Sequence, residues 1–180
     1  MLFVVGCVRG VTVLDNIMYV VCHRSNTIRL YNTDTCSPLD ADIHVEGMTN
    51  PCDIVCRDDR QLYVADSEWS CIWRVSCDDH SYEKWLTESR TDAFPADTAL
   101  SLTSRRLVVT SYSSRRLRQY STTDRQLLRV VELPQYVMWV WHGVETTRGT
   151  FVVGHNRTSH DQRLQWAVSE LITVIIASKL

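Results

Sequence analysis

Short, continuously apolar runs recur along the chain at one spacing. Tyr19-Val20-Val21, Leu62-Tyr63-Val64-Ala65, Leu107-Val108-Val109 and Phe151-Val152-Val153 each lie between a polar turn and a loop. Laid over Leu62–Asp66, the segment Met18–Cys22 sits 44 residues earlier, Leu107–Ser111 sits 45 later, and Phe151–His155 another 44 on. A half-exposed strand alternates apolar and polar residues; a strand apolar at both parities is one covered on both faces. The next strand keeps the same period, with Ile28, Ile72 and Leu117 in register and Tyr31, Val75 and Tyr120 likewise. No window carries a sustained helical stripe.

Each copy divides into short strands. The first has Gly10–Leu14, Ile17–Cys22, Thr27–Tyr31 and a looser Ile43–Glu46. The second has Asp53–Cys56, Leu62–Ala65, Cys71–Val75 and Tyr82–Leu86. The third has Asp97–Leu102, Leu107–Thr110, Leu117–Tyr120 and Gln126–Leu133; the fourth has Val140–Glu145, Thr150–Val153 and Gln162–Val168, the last displaced by a longer loop. A repeat of this length carrying four strands is the pattern of a β-propeller blade. The expected fold is therefore all-β: a propeller with four recognisable four-stranded blades, an open arc or part of a larger ring. Residues 1–8 read as an N-terminal strand, the outer strand of another blade or of the last one, 9–48, 49–93, 94–134 and 135–168 as the blades, and 169–180 as an apolar tail or final strand.

The second copy carries a resemblance. Pro51-Cys52-Asp53-Ile54-Val55, a charged turn, Gln61-Leu62-Tyr63-Val64-Ala65-Asp66 and Cys71-Ile72-Trp73-Arg74-Val75 resemble an NHL repeat. That family's pattern is Pro-x-Gly-Ile-Ala-Val, a polar turn, Ile-Tyr-Val-Ala-Asp and a hydrophobic-basic strand; Asp53 stands where the pattern has Gly. The third copy keeps Pro95-Ala96-Asp97 but has Thr110-Ser111 for Ala-Asp, and the outer copies diverge further. No Trp-Asp dipeptide closes a third strand, as a WD repeat would have. Spanning residues 9–168, the resemblance implies a propeller of the NHL type, TolB-like or as in tripartite-motif proteins. Such propellers have about five to seven blades. It also implies a non-catalytic module that presents its loops to a protein or peptide partner. No RING or B-box zinc pattern accompanies it, so ligase activity is not carried over.

Composition narrows this picture. A formal net charge of -2 and a pI near 6.3 provide no molecule-wide field for nucleic acid or anionic membrane. The seven cysteines are odd in number and lack a CxxC pair, which points to reduced, mostly buried thiols in a cytoplasmic protein. Cys52 and Cys56, four apart on one strand, are expected on the same side of it. The segment Met1–Cys7 lacks the basic leader and apolar length of a signal peptide. The run Leu171–Ala177 is far shorter than the roughly 20 residues that span a bilayer.

Arginines are less evenly spread: Arg105, Arg106, Arg115, Arg116, Arg118, Arg125 and Arg129 crowd the third copy. Loops joining second and third strands share one face and are expected to bring together Arg24, Trp69, Tyr112, Arg115, Arg116, His155, Asn156 and Arg157 as a binding surface. Arginine beside exposed aromatics suits a protein hot spot, and equally the stacking and phosphate contacts of single-stranded RNA. A lesser reading takes Asp53, Asp97 and Glu145 as ligands of a divalent ion in a gluconolactonase-like hydrolase. Neither a Gly-x-Ser-x-Gly elbow nor a glycine-rich phosphate loop occurs, so no catalytic residue, metal or cofactor is assigned.

Overall fold

A computed structural model describes residues 6–87, 98–103, 105–111, 115–135, 137–157 and 171–175, with the backbone alone at 138, 139, 156, 157 and 171–175. Every regular element among them is a strand. The chain forms two compact units, Met1–Thr98 and Ala99–Leu180.

The first unit holds two antiparallel meanders. Strands β1 (Val8–Leu14), β2 (Ile17–Cys22), β3 (Thr27–Asn32) and β4 (Ile43–His44) hydrogen-bond in that order, as do β5 (Pro51–Arg57), β6 (Gln61–Asp66), β7 (Cys71–Ser76) and β8 (Tyr82–Thr87). The sequence period is realised as contact: a Cβ built on Gly10 would lie 2.8 Å from the Ile54 nitrogen, and the Cys56 N–H donates to Thr12 Oγ1 at 3.2 Å. Residues one repeat apart thus face each other where β1 meets β5.

The doubly covered second strand is borne out. Tyr19, Val20 and Val21 are all buried, as are Leu62, Tyr63, Val64 and Ala65. Tyr19 and Val21, with Leu30 and Ile28 beside them, pack against Leu62, Val64, Val75 and Trp73 of the second sheet. The opposite parity has its own partners. Val20 and Cys22 lie with Tyr31, and Tyr63 meets the edge of Trp85 at 5.1 Å between ring centroids.

The second unit repeats the scheme. Strands β9 (Thr98–Thr103), β10 (Arg106–Ser111), β11 (Arg116–Ser121) and β12 (Leu127–Glu132) form a four-stranded meander, with Leu107, Val108 and Val109 buried. The last sheet has three strands among the described residues: β13 (Val137–Glu145), β14 (Phe151–Arg157) and β15 (Leu171–Ile175). The third strand expected at Gln162–Val168 lies outside the described residues. The strand paired with β14 is Leu171–Ile175, in the register Phe151↔Ile175. Residues 1–5 of the expected N-terminal strand also lie outside.

One local expectation fails for a clear reason. A bulge between Pro51 and Asp53 inserts a residue into β5 and shifts its parity. Cys52 Sγ accordingly lies 3.4 Å from the Ala65 carbonyl, whereas Cys56 packs on the core that contains Tyr19 and Cys77. All seven cysteines are thiols; Cys22, Cys52, Cys71 and Cys77 are buried, while Cys7 and Cys36 are exposed.

Candidate functional site

In the second unit the ladder register decides which side chains share a face. Val108 pairs with Gln119, Gln119 with Arg129, and Arg106 lies two residues before Val108. Because side chains alternate along a strand, Arg106, Val108, Gln119 and Arg129 fall on one face of this sheet. Strand β13 packs on that face. A Cβ on Gly143 would come within 2.9 Å of Leu117 Cδ2 and Thr110 Oγ1, so glycine permits the close approach. Ser101 Oγ donates to the Gly143 carbonyl at 2.6 Å, and Thr103 Oγ1 to the Glu145 carbonyl at 3.3 Å.

This seam carries Glu145 into the charged end of the face, its side chain only 1% exposed. Its Oε1 accepts Arg106 Nη1 at 3.2 Å and Arg129 Nη2 at 3.0 Å, and its Oε2 accepts Gln119 Nε2 at 2.5 Å. Such partners are required, because an uncompensated buried carboxylate costs several kcal/mol. Arg129 is held on its other sides too: its guanidinium carbon lies 4.6 Å from the Phe151 ring centroid, and Nη1 donates to the Gly149 carbonyl at 3.4 Å. Gly149, with φ of 76°, closes the β13–β14 turn that presents Arg148.

An open cleft of about 280 Å³ lies here, walled by Arg106, Gln119, Leu128, Arg129 and Arg148. Three guanidinium groups face one carboxylate, so positive charge is in excess. The buried Arg129 Nε has no hydrogen-bond partner among the described residues. A buried donor left open next to surplus cations is suited to an anionic acceptor. The arginine crowding of the third copy was the sequence signal for this cleft. Glu145, considered above as a metal ligand, instead receives two cations and an amide. Asp53 belongs to the other unit, where its Oδ1 accepts the Ile54 N–H at 2.9 Å, and Asp97 lies outside the described residues. No group of three or more His, Cys, Asp or Glu side chains among the described residues could hold a metal ion.

The residues of the expected loop surface are divided between the two units. Arg24 is exposed in the β2–β3 turn with φ of 55°. Trp69, 53% exposed in the β6–β7 turn, has Lys84 Nζ 5.0 Å from its ring centroid. Arg115 is exposed next to β11, and Arg116 lies within that strand, ion-paired to Glu132 at 2.6 Å. Tyr112 lies outside the described residues. His155, Asn156 and Arg157 are not loop residues. β14 continues through them because β13 begins early enough to pair Val137 with Arg157 and Val140 with His155. His155 is 1% exposed.

His155 occupies the place that Asp66 holds in the second copy, and Asp66 explains why this place is interior. Buried at the end of β6, Asp66 accepts the Thr49, Asn50 and Glu68 N–H groups at 2.8, 3.2 and 3.1 Å and Trp73 Nε1 at 3.4 Å. It thereby ties the connection between the two sheets to the β6–β7 turn.

Repeated antiparallel meanders, with second strands β2, β6 and β10 buried at both parities and Val152 of β14 half-buried, define a β-propeller. No family model matches the chain, and no curated protein matches it by sequence. Among solved structures it is similar to the computationally designed Ika4 protein, with a TM-score of 0.65, 14% identity, and coverage of 97% of this chain and 94% of that one. It is also similar to the WD40 β-propeller domain of Doa1, with a TM-score of 0.63 and 17% identity over 82% of this chain and 47% of that one. For U3-55K the TM-score is 0.66 and the identity 16%, over 82% and 43%. The chain therefore spans less than half the length of the Doa1 and U3-55K chains. At such identities the likeness is one of fold, reached here without the Trp-Asp dipeptide.

Proposed function

We propose that this propeller is a non-catalytic binding module that takes an acidic side chain of a protein or peptide partner into the Arg106–Arg129–Arg148 cleft. The observation that carries this reading is the buried, unpartnered Arg129 Nε in a cleft where guanidinium groups outnumber the single carboxylate. Guanidinium groups stay protonated, so they supply charge and planar donors but no base, which suits recognition better than proton transfer. Leu128 adds an exposed apolar wall, and Trp69 in the other unit is an exposed aromatic of the kind enriched in hot spots. We read the repeats as NHL-type, supported by the buried Ile54, the Leu62–Ala65 strand and the several hydrogen bonds that end on Asp66.

The test uses a fluorescein-labelled peptide of alternating serine and glutamate, the same peptide with lysine, and a single-stranded RNA oligonucleotide. The glutamate peptide binds, the lysine peptide does not, and Arg148→Glu weakens binding about tenfold, the loss of roughly 1.4 kcal/mol expected when one charge contact is reversed. Equal binding of both peptides, an unaffected Arg148→Glu variant, or tighter binding of the RNA than of either peptide would overturn the proposal.

A further inference from the structure

The outer edge of the third sheet is built unlike those of the first two. β12 ends its sheet, and no described strand pairs with its far side. Edge strands are ordinarily kept short or charged, because their free main-chain groups invite a further strand. β4 is only two residues long, and β8 presents Glu83, paired with Arg74, and Lys84 above the Trp69 ring. β12 has six residues and presents Leu127, Leu128 and Val130, each 44–50% exposed. Both of its charges are engaged, Arg129 with Glu145 and Glu132 with Arg116. The Leu133 N–H donates to the Arg115 carbonyl at 2.9 Å. Bonded and non-bonded pairs alternate along an antiparallel ladder, so Arg129 and Val131 also turn their main-chain groups to β11, and Val130 and Glu132 turn theirs outward. Side chains divide as clearly. Arg129 shares the face of Gln119 and the cleft, whereas Val130 pairs with Arg118 on the opposite face. The register shift between Gln119 and Tyr120 leaves Leu127 opposite Tyr120, on the Val130 face, and Leu128 as a wall of the cleft beside Arg129.

We propose that the partner segment is an extended strand of alternating apolar and acidic residues that adds antiparallel to β12, an inference that rests on the reading of the cleft as a site for an acidic side chain. The outward main-chain groups of Val130 and Glu132 take up the hydrogen bonds of the added strand. A residue directly opposite Arg129 stands on the same face as Arg129, its Cβ about 5 Å away, which directs an acidic side chain to the cleft. The residues on either side of it point to the other face, where Val130 and Leu127 offer exposed apolar surface. Main-chain bonds supply affinity in this mode, and alternate side chains supply specificity. A second copy of this chain would bring the same surplus of guanidinium groups to the edge, so charge favours an acidic strand over self-pairing.

Fluorescence anisotropy with the full chain compares a labelled peptide of alternating valine and glutamate with one of the same composition in the order Val-Val-Glu-Glu. The alternating peptide binds about tenfold tighter, because only alternation puts every carboxylate on the Arg129 side. Methylating the main-chain nitrogens of its valines, which lie opposite Val130 and face β12, abolishes binding; methylating those of its glutamates, which face away, does not. Val130→Pro removes an outward N–H from an edge strand, leaves the β11 ladder intact and weakens binding about tenfold. Equal affinity of the two peptide orders, or of the two methylated peptides, overturns strand addition. If those pairs bind alike while Arg148→Glu still weakens them, the charged cleft stands without the added strand. If Arg148→Glu has no effect on the alternating peptide, the cleft reading falls and strand addition with it.

Discussion

Asp79, in the β7–β8 turn, receives hydrogen bonds involving the Ser76 and Ser81 hydroxyls and the Ser81 N–H, which pull its carboxyl down to about 2. An unfolded aspartate titrates near 4. The carboxylate's contribution is therefore present above about pH 4 and lost as pH falls through about 2. Urea midpoints taken between neutral pH and pH 2 should fall more steeply for wild type than for Asp79→Asn; parallel curves would contradict this. Thiols behave in the opposite sense where burial dominates. Cys52 and Cys71 are each pushed up to about 12 by burial, so neither should react with iodoacetamide at neutral pH until the chain unfolds, and both should react in urea. Their burial was legible in a cysteine pattern without metal or disulfide spacing. The divergence of Cys52 from Cys56 was not, because alternation assumes an unbroken strand and the bulge at Pro51–Asp53 breaks it.

At the scale of elements, the close approach of neighbouring sheets sets the sharpest constraints. Gly143→Ala places a methyl 2.9 Å from Leu117 Cδ2 and Thr110 Oγ1, and should cost about 1–3 kcal/mol as overpacking does. Gly154→Ala, whose added carbon meets nothing nearer than 3.9 Å, is the control and should be close to neutral; a Gly143→Ala effect no larger than the control's would contradict the stacking. Asp66→Ala strands three backbone donors and an indole at once, so a loss of about 3 kcal/mol or more in urea unfolding is expected. Strands one to three of the first two copies could be read within a residue or two, because two anchors share one period. The closing strand of the last sheet could not: its period is interrupted, and a loop of unknown length leaves both Gln162–Val168 and the Leu171 run as candidates. His155 was misjudged although its alignment with Asp66 was visible, because histidine in a polar context reads as a loop residue unless the repeat is given priority.

For the molecule as a whole, the net charge of -2 conceals a cleft that favours an anion. Its lining comes from positions 106, 119, 129, 145 and 148, joined by strand register and by stacking of one sheet on the next, so no local motif could announce it. Composition showed the arginine excess and register gave it a place. The fold itself rests on second strands enclosed by neighbours of the same kind, and native-state hydrogen exchange measures that enclosure most directly. The amides of Tyr19–Val21, Leu62–Ala65 and Leu107–Val109 should exchange slowest, with protection approaching that of global unfolding, while those of the outer strands Tyr82–Thr87 and Leu127–Glu132 exchange faster. Equal protection of inner and outer strands, or slower exchange in the outer ones, would contradict the account.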